Sequence, residues 1–282
     1  MLQDLAIKLL VVAMMIAVGL ELPLAELRAG LRKRGFLAVG LALNLLVTPL
    51  VVSGLTGLLG LGAGASVGLL ICAVAPGGPT GPLFTRIARA DLGFATSLQV
   101  CLCFVALLTA PLSLELFADA SQQAGSALVW PMMRTLALYQ LLPLCAGMVV
   151  RARSEALAKR LSKPVGMLAN LLLFAVIIGM LVTRGHILLE QPPSVHALTC
   201  ALVLAPIAAA FAWPGLRPTN LAVGFVTTVR NLSVALLLSA SFFADDPTVD
   251  AVILVWAFYM MLLPALIALV LGRRAQTGEP ST

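Results

Sequence analysis

Charge is what this chain has least of. Asp, Glu, Lys and Arg together make up 11% of its 282 residues, against roughly a quarter in soluble domains, too few to coat a water-soluble globule of this size. Residues of the apolar classes reach 61% and mean hydropathy is +1.06, so lipid is the relevant solvent and the chain reads as an integral membrane protein. Enzyme chemistry finds no foothold: there is no G-x-S-x-G, no H-E-x-x-H and no carboxylate pair deep in an apolar run, the acidic residues gathering near run ends. The five cysteines (Cys72, Cys101, Cys103, Cys145, Cys200) lie in apolar segments without CxxC or Cys/His spacing, which reads as packing and leads us to expect neither a metal site nor a cofactor. Before the first apolar run stands Asp4 and no basic cluster, and no A-x-A pattern precedes Glu21. Residues 5–20 therefore read as a membrane span rather than a signal peptide.

Apolar runs predict nine spans, at about 4–21, 35–57, 66–90 (interrupted), 92–118, 126–150, 164–184, 194–213, 218–243 and 249–272. With the N-terminus outside, 14 of the 18 basic residues fall in inward-facing stretches, as the retention of Lys and Arg on the cytoplasmic side requires. The outliers are Lys8, Arg134, Arg184 and Arg230. The net charge of +6 is thus mostly a topological bias, and nucleic acid is not an expected partner. Basic loops and short connections point to a bacterial inner membrane, N-terminus outside and C-terminus cytoplasmic.

Within the third span, Ala75-Pro76-Gly77-Gly78-Pro79-Thr80-Gly81-Pro82 cannot continue a helix, because each proline lacks a backbone donor and clashes with the preceding turn. Irregular backbone at membrane depth is tolerated only where protein or a water-filled cavity surrounds it, so residues 75–82 form a candidate substrate site. A second polar island, Gly224 to Ser233 with Thr227, Thr228, Arg230 and Asn231, interrupts the eighth span. Breaks five spans apart fit inverted repeats of five helices whose first member is missing, with two broken helices crossing at the midplane and half-helix N-termini suited to an anion.

Gly19-Leu20-Glu21-Leu22, Pro49, Ala75-Pro76-Gly77-Gly78, Ala88-Arg89-Ala90-Asp91 and Asn231 with its small neighbours together resemble the bile acid:sodium symporter family, from about residue 8 to the end of the ninth span. The resemblance implies an all-α inverted-repeat transporter of the ten-helix type begun at its second helix. It implies a core of about residues 66–118 and 218–272 and a panel of about 4–57 and 126–213. It also implies substrates that are organic anions (bile acids, sulfated steroids, small keto acids or pantoate-like acids), usually carried with two sodium ions.

The departures from the family pattern centre on those ions. Ser-Asn of the family becomes Gly81-Pro82; the hydroxyl ligands of the next helix fall on Ala95 and Gln99; the glutamate of the second break falls on Val226 and its glutamine on Arg230, with a further glutamine falling on Asn44. Sodium needs a cage of oxygens, and guanidinium offers only donors. Two sodium ions and one carboxylate sum to +1, as does one arginine without the carboxylate, so Arg230 reads as a built-in cation. Arginine at a helix centre costs about 2.5–3.5 kcal/mol on insertion scales. The acceptors expected for it are the carbonyls of residues 75–78 and the half-helix end near Thr228, the negative ends of the dipoles.

The function expected is alternating-access transport or facilitation of a small organic anion, a carboxylate or bile-acid-like molecule, without classical sodium coupling. Thr80, Gly81, Arg230, Asn231 and Ser233 are the expected substrate contacts. Alternatives are a symporter using non-standard sodium ligands, a non-transporting sensor or assembly partner, and an arsenite exporter-like protein, although the last wants a cysteine where Ala75 stands. Plain readings sit beside these: Arg230 snorkelling to an interface, threonines bonding their own helix, Asn44, Gln99, Gln140 and Asn170 joining helices, and Asp91 capping the fourth span.

Overall fold

The computed structural model describes residues 2–22, 24–117, 128–214 and 217–277, and their regular structure is helical throughout. In chain order the helices are α1 (Leu2–Glu21), α2 (Leu24–Leu31), α3 (Arg34–Ala42), α4 (Thr48–Leu58), α5 (Ala63–Val74), α6 (Thr80–Ile87), α7 (Leu92–Phe117), α8 (Val129–Leu136), α9 (Leu142–Arg153), α10 (Glu155–Leu189), α11 (Pro193–Ala212), α12 (Arg217–Thr228), α13 (Leu232–Phe242) and α14 (Pro247–Thr277). Among the described residues, six stretches are long and apolar enough to cross a membrane: Arg34–Leu58, Leu92–Phe117, Val129–Arg153, Glu155–Thr183, Pro193–Ala212 and Pro247–Ala275. Helices α5 and α13 are shorter apolar pieces, each beside a chain break.

Two helices are widened rather than broken. π-helical turns at Leu43–Val47 and Ala137–Leu141 join α3 to α4 and α8 to α9, and each ends two residues before a proline, Pro49 or Pro143. A proline ring would strike the carbonyl four residues back; the wider turn moves that carbonyl aside and keeps the helix continuous. Each π turn carries a buried amide, Asn44 and Gln140.

Helix α1 packs against α9, α10 and α13; α11 packs on α12 and α14, α5 on α14, and α12 on α6 and α7. The α1–α9 contact is close because small residues face each other: a Cβ on Gly19 would lie 2.4 Å from the Leu144 carbonyl oxygen, and one on Gly147 2.5 Å from that of Ile16. Such approach is how helices associate where lipid offers no hydrophobic drive.

Several expected boundaries move. The sixth span is not confined to 164–184 but belongs to α10, which starts at Glu155 and runs through Pro164. The basic segment 155–163 is helical because Lys and Arg are good helix formers and Glu155 supplies a first-turn acid paired with Lys159 at 2.8 Å. Ser154 alone separates α9 from α10. Span ends placed at 118 and 126 lie outside the described residues. The breaks are also shorter than expected. Helix α6 resumes at Thr80, so Gly81 and Pro82 sit in its first turn, where backbone N–H groups have no intrahelical partner and a proline sacrifices nothing. Thr227 and Thr228 complete α12. What stays unwound is 75–79 and 229–231.

Candidate functional site

The two unwound segments meet. The Asn231 N–H donates to the Ala75 carbonyl at 2.7 Å, and Pro76 and Arg230 pair as an isolated antiparallel β-bridge. Freed backbone groups of one break are therefore satisfied by the other, as a dry environment demands. Gly77 adopts φ +81, and a Cβ on Gly78 would lie 2.3 Å from the Arg230 carbonyl oxygen. The glycines of the motif are thus required by a left-handed residue and by backbone-to-backbone contact.

Arg230 is 3% exposed, which rules out snorkelling to an interface. Its Nη1 donates to Asn44 Oδ1 at 3.1 Å and to the Ala73 carbonyl at 3.3 Å, and its Nη2 to Thr48 Oγ1 at 3.0 Å. The expected acceptors in 75–78 and near Thr228 are not used: the side chain turns instead to the last turn of α5 and to the widened part of the α3–α4 span. Asn44 Nδ2 in turn donates to Thr227 Oγ1 at 2.9 Å and to the Gly40 carbonyl at 2.8 Å. Thr228 Oγ1 donates to the Val203 carbonyl on α11 at 3.0 Å, and Gln140 Nε2 to the Cys103 carbonyl on α7 at 2.9 Å. The helix-joining readings hold for Asn44 and Gln140.

A cavity of about 1180 Å³ opens beside the breaks. One wall is α1 and α10, through Met14, Val18, Asn170, Leu173 and Phe174 among others; the other is α6, α7, α14 and residues 230–233. Thr80, Pro82, Gln99, Arg230, Asn231 and Ser233 all reach it. Four of the residues that line it carry a buried polar atom without a protein partner: Thr80 Oγ1, Gln99 Nε2, Arg230 Nε and Asn231 Nδ2. The Asn231 amide is oriented by its own cap, since Oδ1 accepts from the Val234 N–H at 3.3 Å and the Ser233 hydroxyl at 2.8 Å, leaving its NH₂ unpaired. Native proteins leave few buried polar groups unpaired, and four of those found here belong to residues that line one cavity.

The expected site residues thus divide. Thr80, Arg230 and Asn231 come together at the cavity. Ser233 reaches it too, with its hydroxyl committed to Asn231. Gly81 is buried against Val226, where a Cβ would lie 3.1 Å from the Val226 Cα. Ala95 and Val226 sit in an apolar cluster with Phe94, Leu98 and Leu102 and present no oxygen. Sequence reading gave Gln99 an ion-site or packing role, yet its Nε2 is the unpaired donor on α7. The signal available was Thr96 and Gln99, polar residues three apart on one face of an apolar helix. Glu21 and Arg86, also on the cavity, were not foreseen.

Away from the cavity, Asp91 does more than cap α7. It accepts from the Phe94 N–H at 3.1 Å, from Thr219 Oγ1 at 2.8 Å and from Lys33 Nζ, while Lys33 also donates to Thr219 at 3.0 Å. Burial pushes its carboxyl upward, but the Lys33 ammonium, the Phe94 amide and the Thr219 hydroxyl outweigh this and hold it below the usual carboxylate range. The cluster ties the starts of α3, α7 and α12.

No curated protein matches the chain. The family model described as Sodium Bile acid symporter family matches residues 8–191, a segment that contains most of α1, the first break and α7 and stops before α11–α14. With most of its length covered by that model and its spans apolar helices, this chain belongs to the sodium bile acid symporter family of membrane transporters.

Proposed function

We propose that the protein carries a small organic anion, a carboxylate or bile-acid-like molecule, across the bilayer by alternating access, with the Arg230 guanidinium standing where relatives bind sodium. The observation that carries this reading is the set of unpaired polar atoms in the residues that line the cavity: Gln99 Nε2, Arg230 Nε and Asn231 Nδ2 are N–H donors, and the Thr80 hydroxyl is unpaired as well. Donors without acceptors suit an oxyanion, whose oxygens only accept. A sodium ion would need oxygens at the same places, and the family's ligand positions hold Asn44, Gly81, Pro82, Ala95, Gln99, Val226 and Arg230, with the Asn44 Oδ1 already accepting from Arg230. No step in this account uses sodium.

In this proposal the chain makes nine passes in a bacterial inner membrane, N-terminus outside, the broken pairs α5–α6 and α12–α13 counting as one pass each and related as inverted repeats. The moving boundary runs through the cavity, with α1, α9 and α10 as the panel. Helices α3, α4 and α11 travel with the core instead of the panel named from sequence, a division favoured by the Arg230–Asn44 and Thr228–Val203 bonds. The test is carboxylate uptake into proteoliposomes with and without a sodium gradient. Uptake that ignores sodium and disappears in Arg230→Ala is the expected result; sodium-driven electrogenic uptake, or full activity of Arg230→Ala, would refute it. Anion binding without any flux would favour a sensor instead.

A further inference from the structure

We infer that the carrier works chiefly by exchange, one anion entering as another leaves, because its empty form crosses slowly. The inference rests on the anion site proposed above and adds what the empty site must do.

Arg230 is buried, and its three partners, Asn44 Oδ1, the Ala73 carbonyl and Thr48 Oγ1, are all neutral. None of the ion pairs among the described residues includes it. The other ionisable residues on the cavity, Glu21 and Arg86, lie at the last turns of α1 and α6, away from the breaks. Open to water, the cavity places a polarisable medium beside the buried cation and lowers its free energy. Alternating access requires a moment when the cavity is shut on both sides, and that water is then largely excluded.

With an anion bound, a carboxylate offers acceptor sites to Arg230 Nε, Asn231 Nδ2, Gln99 Nε2 and Thr80 Oγ1 together, and the closed site is neutral. Without one, the closed site holds an uncompensated cation and four unpaired polar atoms. A carrier with a histidine or carboxylate at this place could return empty by changing its protonation. Arginine keeps its proton under all physiological conditions, so that escape is closed. Excluding the water beside an uncompensated buried charge is enough to slow the step by roughly tenfold or more. Exchange of like-charged monovalent anions then moves neutral complexes in both directions, whereas net flux drives the charged empty form across the field.

Radiolabelled cholate and radiolabelled pyruvate serve as probes, applied to purified protein in proteoliposomes either preloaded with the unlabelled probe or empty. Expected are uptake at least about tenfold faster into loaded vesicles, with a potassium–valinomycin potential leaving exchange unchanged and altering net flux. Equal rates into loaded and empty vesicles would overturn the inference while leaving the anion site standing. Failure of both probes either to raise the melting temperature or to move would count against the anion site, and the inference would fall with it. Gln99→Leu removes one unmet donor without altering charge; it is expected to weaken probe binding and to narrow the ratio of exchange to net uptake, a ratio that does not depend on how much protein folds. An unchanged ratio together with weaker binding would also overturn the inference.

Discussion

Asn44 and Arg230, 186 positions apart in sequence, share a buried hydrogen bond of 3.1 Å. It joins the widened turn of one span to the break of another, and Asn44 extends the link to Thr227 through its Nδ2. The guanidinium is thereby held by a neutral partner, which leaves its charge uncompensated.

Asn44→Asp tests that point. The substitution keeps the shape and places a carboxylate against Nη1, converting the neutral partner into a counter-ion. Anion affinity should fall by at least about tenfold, the worth of roughly 1.4 kcal/mol, while the protein remains folded. Titration of the purified variant with a carboxylate, followed by melting temperature, measures it; wild-type affinity would mean that Arg230 is not the charge the anion meets.

Gly78→Ala addresses the crossing of the breaks. A Cβ there would fall 2.3 Å from the Arg230 carbonyl oxygen, backbone that cannot rotate away, so a loss of about 1–3 kcal/mol is expected from overpacking. Gly57→Ala is the matched control, because nothing lies within 4 Å of its added carbon. Thermal melts of the two in the same detergent should separate clearly, with Gly57→Ala near wild type.

Acid should loosen the Lys33–Asp91–Thr219 cluster. Because the folded Asp91 carboxyl titrates lower than its ordinary value of 3.8, its contribution is fully present above that value and is lost as pH falls through the lower folded one. Stability followed from pH 7 to pH 2 should therefore decline steeply only at the acid end, and Asp91→Asn should flatten that decline and lower stability near neutrality by roughly 1 kcal/mol. A variant with the wild-type acid profile would assign the decline to other groups.

The membrane class, the first break and the family were legible because they are written locally: an apolar composition, and three prolines in eight residues at 75–82. The second break showed as a polar island for the same reason. The extents of the breaks were not, because a proline in a first helical turn costs nothing and so cannot mark where unwinding stops. The partners of Arg230 escaped too. Dipole reasoning favours nearby carbonyls, but the side chain is long enough to reach another span, and only packing decides which. Gln99 illustrates a subtler limit: its identity was noticed as a lost oxygen ligand, while the structure leaves its amide nitrogen buried and unpaired, a state no residue code contains. The helical run of 155–163 was hidden by its basic character, which reads as a loop from topology and as a good helix from propensity.

The π turn at 43–47 has a further consequence. Each residue of an α-helix advances about 100° around its axis, so one additional residue in a turn rotates everything on one side of it relative to the other. Asn44 and Thr48, four apart, both address the same guanidinium across that irregularity. Relaxing it to an ordinary helix would swing one of them away with no change in its chemical identity. In this span the angular phase of the backbone, set two residues before Pro49, selects which side chains surround the charge.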